Sequence, residues 1–188
     1  MLDAVAGKKF TTLSGTAEAH STVTISDGGK PLGTVTAAAD GTWSFQASLS
    51  AKGIHSFTET SIDGWGHTAS SAGVTLYSQA ANQSLQGGSG DDVLIAGKND
   101  TLIGGGGSDT FVFNPSFGKD TIKDFNVNQD VLSFDHALFA HATASQVLSQ
   151  THDSSAGAVI VVDAHDTVTL TGVTVAQLQS HLSDFFFF

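Results

Sequence analysis

From residue 10 to 77, apolar side chains recur at every second position in short runs, and each run ends in residues that turn the chain. In residues 21–29, Val23 and Ile25 alternate with hydroxyl-bearing residues before Asp27, Gly28 and Gly29 stop the run. Residues 32–46 are broken by Asp40 and Gly41, a pair whose backbone tolerates the positive φ angles of a tight hairpin. Alternation of period two is the mark of a strand with one buried face. Trp43 and Phe45, two apart, share a face, and Val23, Ile25, Leu32 and Phe57 are their predicted core partners. Short strands at this spacing predict a β-sandwich.

The pattern then lapses. Residues 78–86 are polar and without period, and they read as a linker between a first unit at 1–78 and a second at 79–188. A new period of nine begins at Gly87. Residues 87–95 and 104–112 each run Gly-Gly-x-Gly-x-Asp-x-apolar-x, with Asp92 before Leu94 and Asp109 before Phe111. Between them one repeat is a residue short but keeps Asp100 and Leu102 in phase. A flexible glycine-rich linker is the commoner meaning of such composition, but linkers do not hold apolar residues in phase with aspartates. Further on, Thr143 with Gln146 and Thr174 with Gln177 have capping-box spacing before two short helices. Residues 158–172 predict a hairpin turning near Asp163 to Asp166. The chain closes on Asp184 and four phenylalanines.

The nonapeptide pattern resembles the calcium-binding repeats of RTX proteins. The resemblance implies a parallel β-roll in which glycines turn the backbone, aspartates supply charge and the apolar residue points inward. One turn offers too few oxygens for calcium, which takes six to eight. With two turns per revolution, the turn at 87–92 pairs with that at 104–109. Asp92 and Asp109 are then the shared carboxylates, with carbonyls of Gly87, Ser89, Gly105 and Gly107 as co-ligands. The shortened repeat faces the other side, where Asp100 would take a second ion with help from Asp120 or Asp124. Otherwise Asp120, Asp124, Asp130 and Asp135 read as solvated turn residues. Residues 10–77 resemble bacterial immunoglobulin-like domains through the stretches at 13–29, 32–45 and 55–71. The expected fold is mainly β: an immunoglobulin-like sandwich, a short calcium-binding parallel β-roll and a small α/β C-terminal cap.

Charge sharpens this picture. The chain has 188 residues and a formal charge of -11. Residues 1–78 hold six acids and four lysines, a net -2, while residues 79–188 hold twelve aspartates and three lysines, a net -9. The second half calls for cations. All seven basic residues are lysine, which argues against nucleic-acid binding. Without cysteine there is neither a disulfide framework nor a thiolate metal site. No run is long and apolar enough to span a membrane, and the first residues lack a secretory signal, so export by another address, or a piece of a longer protein, is expected.

No zinc motif, nucleophile elbow or phosphate loop is present. His136, His141, His152, His165 and His181 are scattered over turns and helix ends, and a non-enzymatic role follows. The resemblance implies a secreted bacterial protein that folds on Ca2+ outside the cell. It also implies a type I secretion ABC transporter complex as partner, addressed by the acidic and hydrophobic ending. Two alternatives stand beside it. One makes the chain an accessory region of an extracellular hydrolase whose catalytic domain lies elsewhere. The other is an adhesin-like role, in which the first unit binds a carbohydrate or protein, a cell-surface or matrix ligand, with Trp43 or Trp65 as a contact. Trp43 reads as core, and Trp65, flanked by Gly64 and Gly66, is the better candidate for exposure.

Overall fold

The computed structural model describes residues 3–6, 11–48, 54–70, 75–78, 80–139 and 143–188. The first unit holds β1 (Asp3–Ala6), β2 (Thr11–Thr16), β3 (Thr22–Asp27), β4 (Lys30–Thr36), β5 (Thr42–Ala47), β6 (Ile54–Ile62), β7 (Thr68–Ser70) and β8 (Thr75–Ser78). Strands β1, β2 and β5 form one antiparallel sheet, while β4, β3, β6 and β8 belong to a second. Leu13, Val23, Ile25, Trp43 and Phe57 fill the space between the two sheets.

Two expectations change here. Asp40 and Gly41 do not close a hairpin: β4 and β5 lie in different sheets, and the turn carries the chain across the sandwich. Its Gly41 carbonyl accepts the amide of Ala17, which follows β2, so the turn is tied to the strand that β5 joins. Leu32 is outside the core, at 39% exposure. Ile25 pairs with Gly33 and Ser26 with Pro31, so Leu32 is the extra residue of a β-bulge on an edge strand and turns away from the inner face.

Beyond Ser78 the chain alternates between two sheets. It passes through β9 (Ser84–Gly88), β10 (Val93–Ile95), β11 (Thr101–Gly105), β12 (Thr110–Phe113), β13 (Lys119–Ile122) and β14 (Val131–Phe134). Strands β8, β10, β12 and β14 pair in parallel in one sheet, and β9, β11 and β13 in the other. The result is a parallel coil with two strands per revolution. Leu85, Leu94, Leu102, Phe111, Ile122 and Leu132 are fully buried inside it. The helices are α1 (Ala144–Ser149) and α2 (Val175–Gln179), each with the capping box read from the sequence. Strands β15 (His152–Asp153), β16 (Gly157–Val161) and β17 (Thr167–Thr171) extend the second sheet as an antiparallel meander, with β17 parallel to β13. At the chain end β18 (Phe185–Phe187) lies parallel to β14.

The segment at 78–86 is no spacer. Ser78 ends β8, and Ser84 to Gln86 already belong to β9. Strand β8 pairs antiparallel with β6 and parallel with β10, so a single sheet runs through both units. Its two faces serve two cores. Leu76, Leu94, Phe111 and Phe113 point into the coil, whereas Val93, Ile95 and Val112 pack with Trp43, Ile25 and Phe57. All three residues of β10 are therefore buried.

Candidate functional site

The strand registers align the aspartates in rungs. Val93 pairs with Thr110 and Thr110 with Val131, so Asp92, Asp109 and Asp130, each one residue earlier, stack along one edge of the coil. On the other edge Thr101 pairs with Thr121, which stacks Asp100 with Asp120. The carboxylates of Asp100, Asp109, Asp120 and Asp130 reach back to the rung before. Asp109 Oδ1 accepts the Asp92 amide at 2.9 Å, and Asp130 Oδ1 accepts that of Asp109 at 3.0 Å. Opposite, Asp120 Oδ1 accepts the Asp100 amide at 2.7 Å, and Asp100 Oδ1 that of Gln83 at 2.7 Å.

Burial makes this arrangement costly for charge. Asp92, Asp100, Asp109, Asp120 and Asp130 are each under 5% exposed. Removal from water pushes the Asp109 carboxyl up to about 6, helped by the charges of Asp130, Asp92 and Asp124 and opposed by the Asp92 amide. Burial pushes Asp120 up to about 8, with Asp100 and Asp166 adding to the rise and the Asp100 amide opposing it. Asp130 is raised as well, chiefly by burial. Among the described residues no lysine or histidine forms an ion pair with Asp109, Asp120 or Asp130. Among the described residues, no side-chain cation compensates these three carboxylates.

The two glycine turns lie one on the other. The Gly106 amide donates to the Gly88 carbonyl at 2.9 Å, and the Ser108 amide to Asp91 Oδ1 at 2.8 Å. Gly105 and Gly107 have φ of 104° and 119°, and a side chain on either would strike the carbonyl of Gly88 or Gly90 in the turn beneath. Glycine is required at both for the turns to stack. Beside Gly87, the Asp92 carboxylate and the Gly104 carbonyl converge on the space a Cβ would take, and the Asp109 carboxylate does the same beside Gly104. This donor set is all oxygen, anionic and close-packed, which fits a hard cation such as Ca2+. Among the described residues no three His, Cys, Asp or Glu side chains converge as a metal cluster. A cation here would depend on backbone carbonyls as much as on carboxylates.

Of the residues singled out in the sequence, Gly87, Asp92, Gly105, Gly107 and Asp109 thus come together, with Ser89 exposed in the same turn. The carbonyls seen against the neighbouring turn are those of Gly88, Gly90 and Gly104. Asp100 sits on the opposite edge, where both its oxygens accept amides, from Gln83 and Gly97. Its neighbour Asp120 keeps a buried Oδ2 that has no partner among the described residues.

Reading Asp120 and Asp130 as solvated turn residues is corrected: both are buried rungs. Their signal was available, because Asp120-Thr-Ile and Asp130-Val-Leu repeat the Asp-x-apolar triplet of Asp92, Asp100 and Asp109. Loss of the preceding glycines before Asp130, and of all but Gly118 before Asp120, concealed it. Asp124 is exposed and accepts the amides of Gly104 and Gly105, capping the second turn. Asp135 accepts the Ala137 amide. His136, His152 and His165 are exposed, and His181 is half-buried against the Gln177 carbonyl. His141 lies outside the described residues.

Residues 3–79 match the family described as a bacterial Ig domain. The first unit is a bacterial Ig-like domain. No curated protein and no solved structure matches the chain. The family match ends at the point where β8 of the Ig-like domain becomes the first strand of the coil. Among the described residues no helix is long and apolar enough to cross a membrane.

Proposed function

We propose that the coil is a calcium-binding β-roll of RTX type. In this reading the chain is a non-catalytic module of a secreted protein that completes its fold when Ca2+ reaches it outside the cell. The observation that carries the reading is the stack of Asp92 on Asp109 in superposed glycine turns, with the Asp109 carboxyl raised to about 6 and, among the described residues, no ion pair reaching it. Without a cation the stacked carboxylates repel and the short strands are under-stabilised. With one, binding adds stability by mass action. Extracellular modules commonly bind calcium with Kd of about 10⁻⁴ to 10⁻³ M, so a roll of this kind stays open where calcium is scarce. That suits export of an unfolded chain through a type I secretion ABC transporter complex, the route implied by the resemblance. Far-UV circular dichroism during a calcium titration tests the reading. The expected result is a saturable gain of β signal that chelator reverses, and a spectrum indifferent to both would overturn it.

A further inference from the structure

The apolar filling of the Ig-like sandwich ends before the sandwich does. On β3 the inward positions run Ile25, Val23 and then Ser21 just ahead of the strand, and on β6 they run His55, Phe57, Glu59 and Ser61. At this polar end a cavity of about 330 Å³ opens, with Thr16, Glu18, Ser21, Glu59, Asp63 and Thr68 in its wall.

Among the described residues, two of these groups have buried atoms without a partner. Ser21 is 1% exposed and its Oγ makes no hydrogen bond, and Glu59 Oε2 is likewise buried and unbonded. Burial raises the Glu59 carboxyl above the ordinary glutamate range. An unsatisfied buried polar group destabilises the fold. Two facing one cavity mark a place where a ligand completes them.

The rim carries a second feature. Trp65, 82% exposed, stands on the turn between β6 and β7, whose two ends Asp63 and His67 line the cavity. The turn is tightly bonded. Asp63 Oδ1 accepts the amides of Trp65 and His67, each at 2.8 Å, Asp63 Oδ2 lies 2.7 Å from His67 Nδ1, and the Asp63 amide donates to the His67 carbonyl. A large ring held in solvent by a fixed turn offers a flat apolar platform.

We propose that this cavity binds a neutral carbohydrate, whose hydroxyls donate to the Glu59 carboxylate and exchange hydrogen bonds with Ser21 Oγ while a sugar face lies on the Trp65 indole. The volume fits a sugar ring. Glu18, Glu59 and Asp63 exclude anionic glycans. A lysine ammonium would answer the carboxylates, but it only donates, whereas the hydroxyls of Thr16, Ser21, Ser61, Thr68 and Ser70 in the wall both donate and accept. A polyol matches that lining.

The test uses the full calcium-loaded chain on an array of neutral and acidic oligosaccharides, followed by calorimetry with any glycan bound. Glu59→Gln and Trp65→Ala are run in parallel, with circular dichroism to establish that each is folded. The expected outcome is binding of a neutral glycan that either substitution weakens by about tenfold, the loss of one charge-assisted hydrogen bond or of the stacking face. An array without signal, or a glycan bound equally by wild type and Glu59→Gln, overturns the proposal. So does Glu59-dependent binding of a lysine-rich peptide with no glycan bound.

Discussion

Asp109 accepts one amide, is shut away from water and lies between the charges of Asp92 and Asp130. An amide in its place keeps the acceptor for the Asp92 N–H and removes the charge. Asp109→Asn is therefore expected to raise the melting temperature of the metal-free protein while shrinking the further rise that calcium produces. Scanning calorimetry with and without chelator separates the two effects, and a substitution that lowers both melting points equally would mean that Asp109 serves only the turn. Gly105 makes the complementary case. At φ of 104° and with the Gly88 carbonyl in the space a Cβ would take, alanine strains the backbone and pushes the two turns apart. Gly105→Ala should cost more than about 1 kcal/mol in denaturant unfolding.

At the scale of elements, β10 couples the two units. Leu94 fills the coil while Ile95, fully buried on the other face, fills the Ig-like core. Ile95→Ala should remove about 2–5 kcal/mol and lower the stability of both units together. The fluorescence of Trp43 and the circular dichroism of the coil are expected to change in one transition. Two separate transitions, with only the first displaced, would contradict a shared core. The sequence revealed the strands, both capping boxes, the hairpin of β16 and β17, and the phase of Asp92 with Asp109, because each follows from local periodicity or turn chemistry. It concealed the continuity of the sheet. Polar residues 78–86 look like a linker, and only the apolar residues Val93, Ile95 and Val112, in positions the repeat leaves unspecified, hinted at a second buried face. Leu32 was misplaced for a similar reason, since a bulge shifts which residue of a strand faces inward without altering the alternation around it.

For the whole molecule, protons and calcium compete for the same carboxylates. Asp109 and Asp120 titrate at about 6 and about 8 in the fold, against an ordinary value of 3.8. The folded state thus binds their protons more tightly than the unfolded chain does, and their contribution to stability falls as pH rises through that interval. Asp40, held low by the Thr42 amide and hydroxyl, and Asp163, held low by the amides of His165 and Asp166, act in the opposite sense, below the usual carboxylate range. Between pH 5 and pH 8 the metal-free protein should therefore lose thermal stability. The gain from calcium should be larger at pH 8, where the carboxylates are ionised, than at pH 5. Melting curves at the two pH values, with and without calcium, check both signs.

The claim on which the functional account rests is that one cation is shared by Asp92 and Asp109 across stacked turns. Isothermal calorimetry of Ca2+ into the wild-type chain and into the Asp92→Asn, Asp109→Asn double variant tests it most directly. The account predicts binding with Kd of about 10⁻⁴ to 10⁻³ M in the wild type, and the loss of at least one ion in a double variant that still folds. Calcium bound by both proteins with the same stoichiometry and affinity, or by neither, would contradict it.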